Sequence, residues 1–250
     1  MRYPPSLRPS TRSPGAVRLA HRLFARPSLR LALVGSAWSG ERPTRWINYA
    51  ALRRRNGDCT ISGTPGPWQI GRWGRYVNLL SASAGQVLTQ FGVSGWEQGT
   101  FIGLIRQPTP GTTAWIATDS DAVFDESIRW YADNSADQYT VQFPNVVSLT
   151  VSSAGGTVVW NEWVMVQVSW GLNSSLFELL GTRMWRDGVL IADDPSAVAP
   201  RATTAKLKLA SAPGVPSSAN LDVAFFGVWR EMLGGWASRA LMAGRSRVAA

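Results

Sequence analysis

Acidic side chains that come close together in the chain are the first candidates for chemistry. Asp119, Asp121, Asp125 and Glu126 fall within one short stretch. Carboxylates in such a run suit two tasks: oxygen ligands for a hard cation such as Ca²⁺, or the acid and base pair of a glycosidase. The second task needs two carboxylates on one face of a strand, where side chains alternate. Asp125 and Glu126 are adjacent and therefore point to opposite faces, and the spacing matches no calcium loop. Solvated loop acids are the plainer reading, and the same holds for Asp193 and Asp194. Nucleophilic chemistry is narrower still. His21 is the single histidine and Cys59 the single cysteine. With His21 in the N-terminal arm, no Ser-His-Asp or Cys-His pair forms inside the domain, and no cysteine-based metal site or internal disulfide exists. No catalytic residue, metal site or cofactor is expected, and the chain reads as no enzyme. It is expected not to hydrolyse β-glucans.

Aromatic side chains are the other chemistry-bearing group. The chain has 13 Trp against 8 Phe and 5 Tyr. Trp and Tyr offer a flat apolar face with a polar rim, which stacks on sugar rings. Trp96, Trp115, Trp130 and Tyr131 sit at or beside strand candidates and are the expected carbohydrate-binding residues. The competing reading places most tryptophans in a core or a subunit interface.

The elements that must position these residues follow from pattern and punctuation. The 250-residue chain is 45% hydrophobic, enough for one sizeable core, and its 24 Gly and 15 Pro fall mostly between apolar runs. Alternating runs predict strands at Leu29–Trp38, Gln86–Val93, Gly99–Arg106, Thr113–Thr118, Val123–Ala132, Asp137–Phe143, Val146–Ser153 and Asn161–Trp170. A hairpin is predicted over Thr182–Ala192 with Asp187-Gly188 as its turn. A short strand follows at Ala205–Ala210, a long one at Leu221–Leu233, and a closing helix at Gly235–Gly244. Val164, Val166, Val168 and Trp170 share one face of their strand, whereas the other face grades from Trp163 and Met165 to Gln167 and Ser169. The strand from Leu221 is apolar on both faces. It needs cover on both, from the closing helix or from a neighbouring subunit. The result is an all-β sandwich.

Charge divides the chain. The net charge is +9, but residues 1–55 hold twelve Arg and the lone acid Glu41, while residues 56–250 carry a small excess of acid. Residues 1–28 therefore read as a basic, Pro-rich arm bearing Arg2, Arg8, Arg12, Arg18, Arg22 and Arg26, followed by one domain over 29–250. Ala16–Ala25 has the pattern of one amphipathic helical stretch. The arm reads either as a disordered tail or as an anchor that orders on a partner. It lacks the interleaved aromatics of a dedicated nucleic-acid site. No run is long enough to span a membrane as a helix. A signal or transit segment is the minor alternative for this region.

Taken in order, NEWVMVQVSW, MWRDGVLIAD and LDVAFFGVWREMLGGWASRALMAG resemble the closing strands of a laminin-G-like jelly roll of the concanavalin A-like lectin and glucanase superfamily. LALVGSAW and the segment NYAALRRRNGDCTISGTPGPWQIGRWGRYVNLL resemble its opening. The resemblance spans roughly residues 29–244 and implies a jelly-roll β-sandwich with a short C-terminal helix. A basic lead running into such a domain also resembles bacteriophage virion proteins. The expected function is therefore a non-catalytic structural or decorating component of a viral particle, homo-oligomeric or bound to other virion proteins through its arm. The alternative is a carbohydrate-binding module or adhesin recognising a surface glycan.

Overall fold

The computed structural model describes residues 22–34, 44–50, 57–63, 65, 68–71, 74–79, 86–107, 113–120, 126–144, 149–171, 181–196, 199–201, 204–212, 215–218 and 221–245. Arg2, Arg8, Arg12, Arg18, His21, Asp121 and Asp125 lie outside them, as does the side chain of Glu126. In chain order the strands are β1 (Leu29–Val34), β2 (Arg45–Trp46), β3 (Cys59–Ser62), β4 (Gln69–Gly71), β5 (Gly74–Leu79) and β6 (Gln86–Leu88). Then come β7 (Gln98–Arg106), β8 (Ala114–Ser120), β9 (Glu126–Asp133), β10 (Gln138–Phe143), β11 (Leu149–Ser152) and β12 (Trp163–Gly171). The last are β13 (Gly181–Arg186), β14 (Val189–Asp194), β15 (Leu207–Leu209), β16 (Ser211–Ala212), β17 (Val215–Ser218) and β18 (Leu221–Trp229), followed by helix α1 (Trp236–Arg245).

These strands form two eight-stranded sheets, so the chain is an all-β sandwich with a short C-terminal helix, as its alternating runs predict. The first sheet runs β14-β13-β12-β7-β18-β5-β4, with β1 also pairing β18. The second runs β11-β10-β9-β8-β15-β6-β3-β2. Among the described residues, the strand pairings within them are antiparallel. A two-stranded ribbon, β16-β17, lies beside β8, where Thr118 Oγ1 donates to the Ser211 carbonyl at 3.2 Å. At the tip of the β13–β14 hairpin, Asp187 and Gly188 have φ of 51° and 80°. Both central residues of the type I′ turn preferred by two-residue hairpins need this left-handed region.

The main core lies between the sheets. Val164, Val166, Val168 and Trp170 of β12 enter it, with Phe101, Trp130, Phe143 and Phe226. Trp170 packs edge-on to Phe101, with ring centroids 5.0 Å apart. Gly99 leaves the room for this: a Cβ there would meet the Trp170 ring at 2.3 Å.

A second apolar layer covers the outer face of the first sheet. Ile102, Leu104, Met165, Phe225 and Trp229 contribute from the strands, Ala237, Ala240 and Leu241 from α1, and Leu23 from a helical turn over residues 22–25. The cover that β18 needs on its second face thus comes from within the chain. Residues 22–28, assigned above to the arm, pack onto the domain. Leu23 is buried, Phe24 meets Phe225 edge-on at 6.1 Å, and Arg26 Nη1 pairs with Glu231 at 2.7 Å. The arm assignment missed this because the Pro and Arg content outweighed the Leu23-Phe24 pair.

The polar side of β12 is also buried. Gln167 Nε2 and Ser169 Oγ each donate to the Leu233 carbonyl at 2.8 Å, and the Ser238 amide donates to Gln167 Oε1 at 3.3 Å. Polar residues on this strand do not mark solvent. They satisfy the backbone where the chain leaves β18 and enters α1.

Candidate functional site

Register places the outward side chains of the second sheet. On β9, Ile128, Trp130 and Ala132 enter the core, so Arg129, Tyr131 and Asp133 face out. Tyr131 stands opposite Trp115 of β8 and Thr140 of β10, and Thr140 stands opposite Ser152 of β11. One row across the outer face is therefore Trp115, Tyr131, Thr140 and Ser152. The next row, about 7 Å along the strands, is Thr118, Arg129, Gln142 and Thr150.

Trp115 and Tyr131 form the apolar part of this surface. Both are half-buried, their ring centroids lie 4.9 Å apart, and the planes are tilted by 44°. Burial raises the Tyr131 phenol above its usual pKa, and the Asp133 charge adds to it; Arg129 and the Thr140 hydrogen bond act in the other direction. The phenol stays protonated and donates hydrogen bonds at neutral pH. The polar part lies alongside. The buried Thr140 holds the exposed Ser152 through a hydroxyl–hydroxyl hydrogen bond of 3.0 Å, and Arg129 Nη1 donates to Gln142 Oε1 at 3.5 Å. Arg129, Gln142, Phe143, Pro144, Leu149 and Thr150 line an open pocket of about 230 Å³. An aromatic pair bordered by hydroxyl, amide and guanidinium groups suits a ligand with apolar C–H faces and a hydroxyl rim.

Two expected binding residues do not belong to this surface. Trp130 is 1% exposed and packs in the core against Phe101 and Phe226. Adjacent strand residues point to opposite faces, so Trp130 and Tyr131 never share a ligand. Trp96 is 8% exposed; Phe91 stacks on it with planes only 4° apart, and the Arg230 guanidinium lies 5.8 Å from its ring centroid. Its ring is taken by protein groups. Arg129 and Gln142 were absent from the sequence expectation. The alternation of β9 carried the signal for Arg129, whereas Gln142 needed the register of β10.

Of these acids, Asp119 departs from the loop reading. Asp119 is fully buried in β8, and its Oδ2 accepts the Val93 amide at 2.8 Å. It ties the 91–97 connection to the second sheet. Among the described residues, no group of three or more His, Cys, Asp or Glu side chains could hold a metal ion. No described helix is long and apolar enough to cross a membrane.

No protein-family profile matches the chain, and no curated protein matches its sequence. The fold is nonetheless shared with solved structures. The Trypanosoma rangeli sialidase matches over 89% of this chain at 13% identity with a TM-score of 0.60, and the same enzyme in complex with sialic acid matches with a TM-score of 0.59. The receptor-binding domain of botulinum neurotoxin type G matches over 86% of this chain at 11% identity, also with a TM-score of 0.59. The chain spans 34% of these sialidase chains and 51% of the toxin domain chain. These likenesses establish a jelly-roll-like β fold. They also overturn the expectation that the chain is no enzyme, because chains of enzymes stand among those that share its fold. That expectation rested on missing paired carboxylates and a missing domain histidine. Glycoside cleavage is not confined to those groups, as sialidases work through a tyrosine nucleophile.

Proposed function

We propose that this β-sandwich is a carbohydrate-binding module, with the sugar seated on the outer face of the second sheet over Trp115 and Tyr131. The observation that carries the reading is the 4.9 Å Trp115–Tyr131 pair, flanked by the exposed Ser152 and by Arg129 and Gln142. Two aromatic faces remove the C–H surface of a sugar ring from water. The polar row beside them replaces the water that its hydroxyls lose. The fold's occurrence in a sialidase solved with sialic acid and in a toxin's receptor-binding domain supports a glycan reading. The viral-particle reading gains no comparable support. A glycan array probed with the wild type, Trp115→Ala and Tyr131→Ala tests the site. Both variants are expected to lose at least tenfold in apparent affinity, about 1.4 kcal/mol. Unchanged binding by both folded variants refutes it.

A further inference from the structure

The pocket beside the aromatic pair is rich in donors and poor in acceptors. Of the described residues that line it, Arg129, Gln142 and Thr150 are polar, and none is acidic. A guanidinium only donates. Gln142 uses its side-chain oxygen to accept from Arg129 Nη1 at 3.5 Å, so the end of its amide left for a ligand is the NH₂ donor. Thr150 is exposed and adds a hydroxyl. Register holds the three together: Arg129 of β9 stands opposite Gln142 of β10, and Gln142 opposite Thr150 of β11. They are within reach of a ligand, since Arg129 and Gln142 are only half-buried and the cavity of about 230 Å³ is open.

The charge around this pocket is one-sided. In the other direction along the row, Arg129 stands opposite Thr118 of β8, and Thr118 opposite Lys208 of β15. Two strand spacings, roughly 10 Å, separate Arg129 from this second cation. That is about one Debye length, so its field reaches the pocket in dilute salt. The described acid on the outer face of β9 is Asp133, beyond Tyr131 and roughly 13 Å along the strand from Arg129. Its carboxylate accepts from the Ser135 amide at 2.9 Å and from the Ser135 hydroxyl at 2.8 Å. The Tyr131 phenol keeps its proton and adds no negative charge. A cavity that presents a guanidinium, an amide NH₂ and a hydroxyl matches a carboxylate or a sulfate. Tyr131 stands two residues along β9, roughly 7 Å from Arg129. A pyranose ring lying on Tyr131 therefore brings one of its own substituents to Arg129.

We propose that the sugar bound on the second sheet is acidic: its ring lies over Trp115 and Tyr131, and its carboxylate or sulfate enters the pocket beside Arg129, Gln142 and Thr150. This inference rests on the carbohydrate reading of that surface and adds the class of ligand that the surface selects.

Three methyl hexosides that share one ring and differ only at C6 test it: the neutral sugar, its 6-sulfate and its uronate, one set in the galacto and one in the gluco configuration. Each is titrated into ¹⁵N-labelled protein while the Trp115 indole N–H peak, assigned with Trp115→Phe, is followed by NMR. In at least one set, a charged sugar is expected to bind at least tenfold tighter than the neutral one, and the advantage to shrink as salt rises. The tighter of the sulfate and the uronate identifies the anion. Arg129→Gln, with its fold checked by its urea midpoint, is expected to bring the ratio of charged to neutral affinity close to one. Arg129→Lys, which keeps the charge without the planar fork, is expected to fall between. Sodium acetate and sodium sulfate, which carry the anion without a ring, are expected to leave the peak in place. A peak that shifts with neutral and charged sugars at equal affinity overturns the acidic ligand and leaves the carbohydrate reading standing. So does an advantage unchanged in Arg129→Gln. Salts that move the peak as far as the charged sugars do reduce the pocket to an ion site and overturn the proposal. A peak that stays fixed with every sugar overturns both readings.

Discussion

The indole N–H of Trp229 donates to the carbonyl oxygen of Leu23 at 3.1 Å, and both side chains are fully buried. This bond joins the helical turn over residues 22–25 to the end of β18, across more than two hundred residues of chain. Two further contacts repeat the link. Ser28 Oγ and Arg26 Nη1 both donate to the Glu231 carboxylate, at 2.5 and 2.7 Å.

Removing residues 1–28 is therefore expected to lower stability, not merely to release an arm. The single change Leu23→Ala should cost about 2–5 kcal/mol, the usual range for opening a cavity in a packed core. Urea unfolding followed by tryptophan fluorescence measures it. A midpoint equal to that of the wild type would show that the turn is not part of the core.

The contrast between Trp130 and Tyr131 gives a second test. Trp130→Ala should destabilise by about 3–5 kcal/mol, because a large ring leaves the core. Tyr131→Ala faces out and should stay within about 1 kcal/mol of the wild type while weakening glycan binding. Equal effects of the two on stability would contradict the assignment of faces in β9.

How far the sequence shows these features depends on the range of the interaction. Period-2 runs are local, so β7, β10, β12 and the β13–β14 hairpin are legible nearly to the residue, and the Asp187-Gly188 turn carries its own chemistry. The short strands β2, β4, β16 and β17 were not legible, since two to four residues hold no period. Trp115 and Tyr131 could be nominated as aromatics beside strands, and Trp130 had equal standing. Only the cross-strand register, a long-range property, puts Trp130 inside and brings Arg129 next to Gln142. Gln167 misled for a related reason: its polarity serves a backbone turn that lies 66 positions away in sequence.

Gln167→Leu is expected to destabilise by about 1–3 kcal/mol, because the Ser238 amide then loses its acceptor inside the protein. Gln167→Glu should cost more, since a charge replaces a neutral amide at a fully buried position. Urea midpoints at neutral pH give both values, and a leucine variant as stable as the wild type would show that the hydrogen bonds contribute nothing net.

Cys59 couples the fold to alkaline pH. Burial, aided by the Asp58 charge, pushes its thiol from 9.0 up to about 12. The folded state thus keeps a proton that the unfolded chain gives up, and its stabilising contribution is complete below pH 9.0. Stability should then fall as pH rises towards about 12, by at most about 1.4 kcal/mol per pH unit from this group. Unfolding curves at pH 8 and pH 10.5, compared with those of Cys59→Ala, isolate the effect. A difference between the two proteins that does not change with pH would refute it. The same burial keeps the reactive thiolate scarce, so a thiol reagent at pH 8 should label Cys59 only in denaturant.

The turn over residues 22–25 and helix α1 both lie on the outer face of the first sheet. Attachment through either flanking segment therefore has a built-in polarity. A bead, a membrane or a neighbouring domain joined there meets the first sheet, and the Trp115–Tyr131 surface points into free solution. Coupling through either end should leave that surface open to large, branched glycans, whereas random coupling through Lys206 and Lys208, beside β8 on the second sheet, should obstruct it.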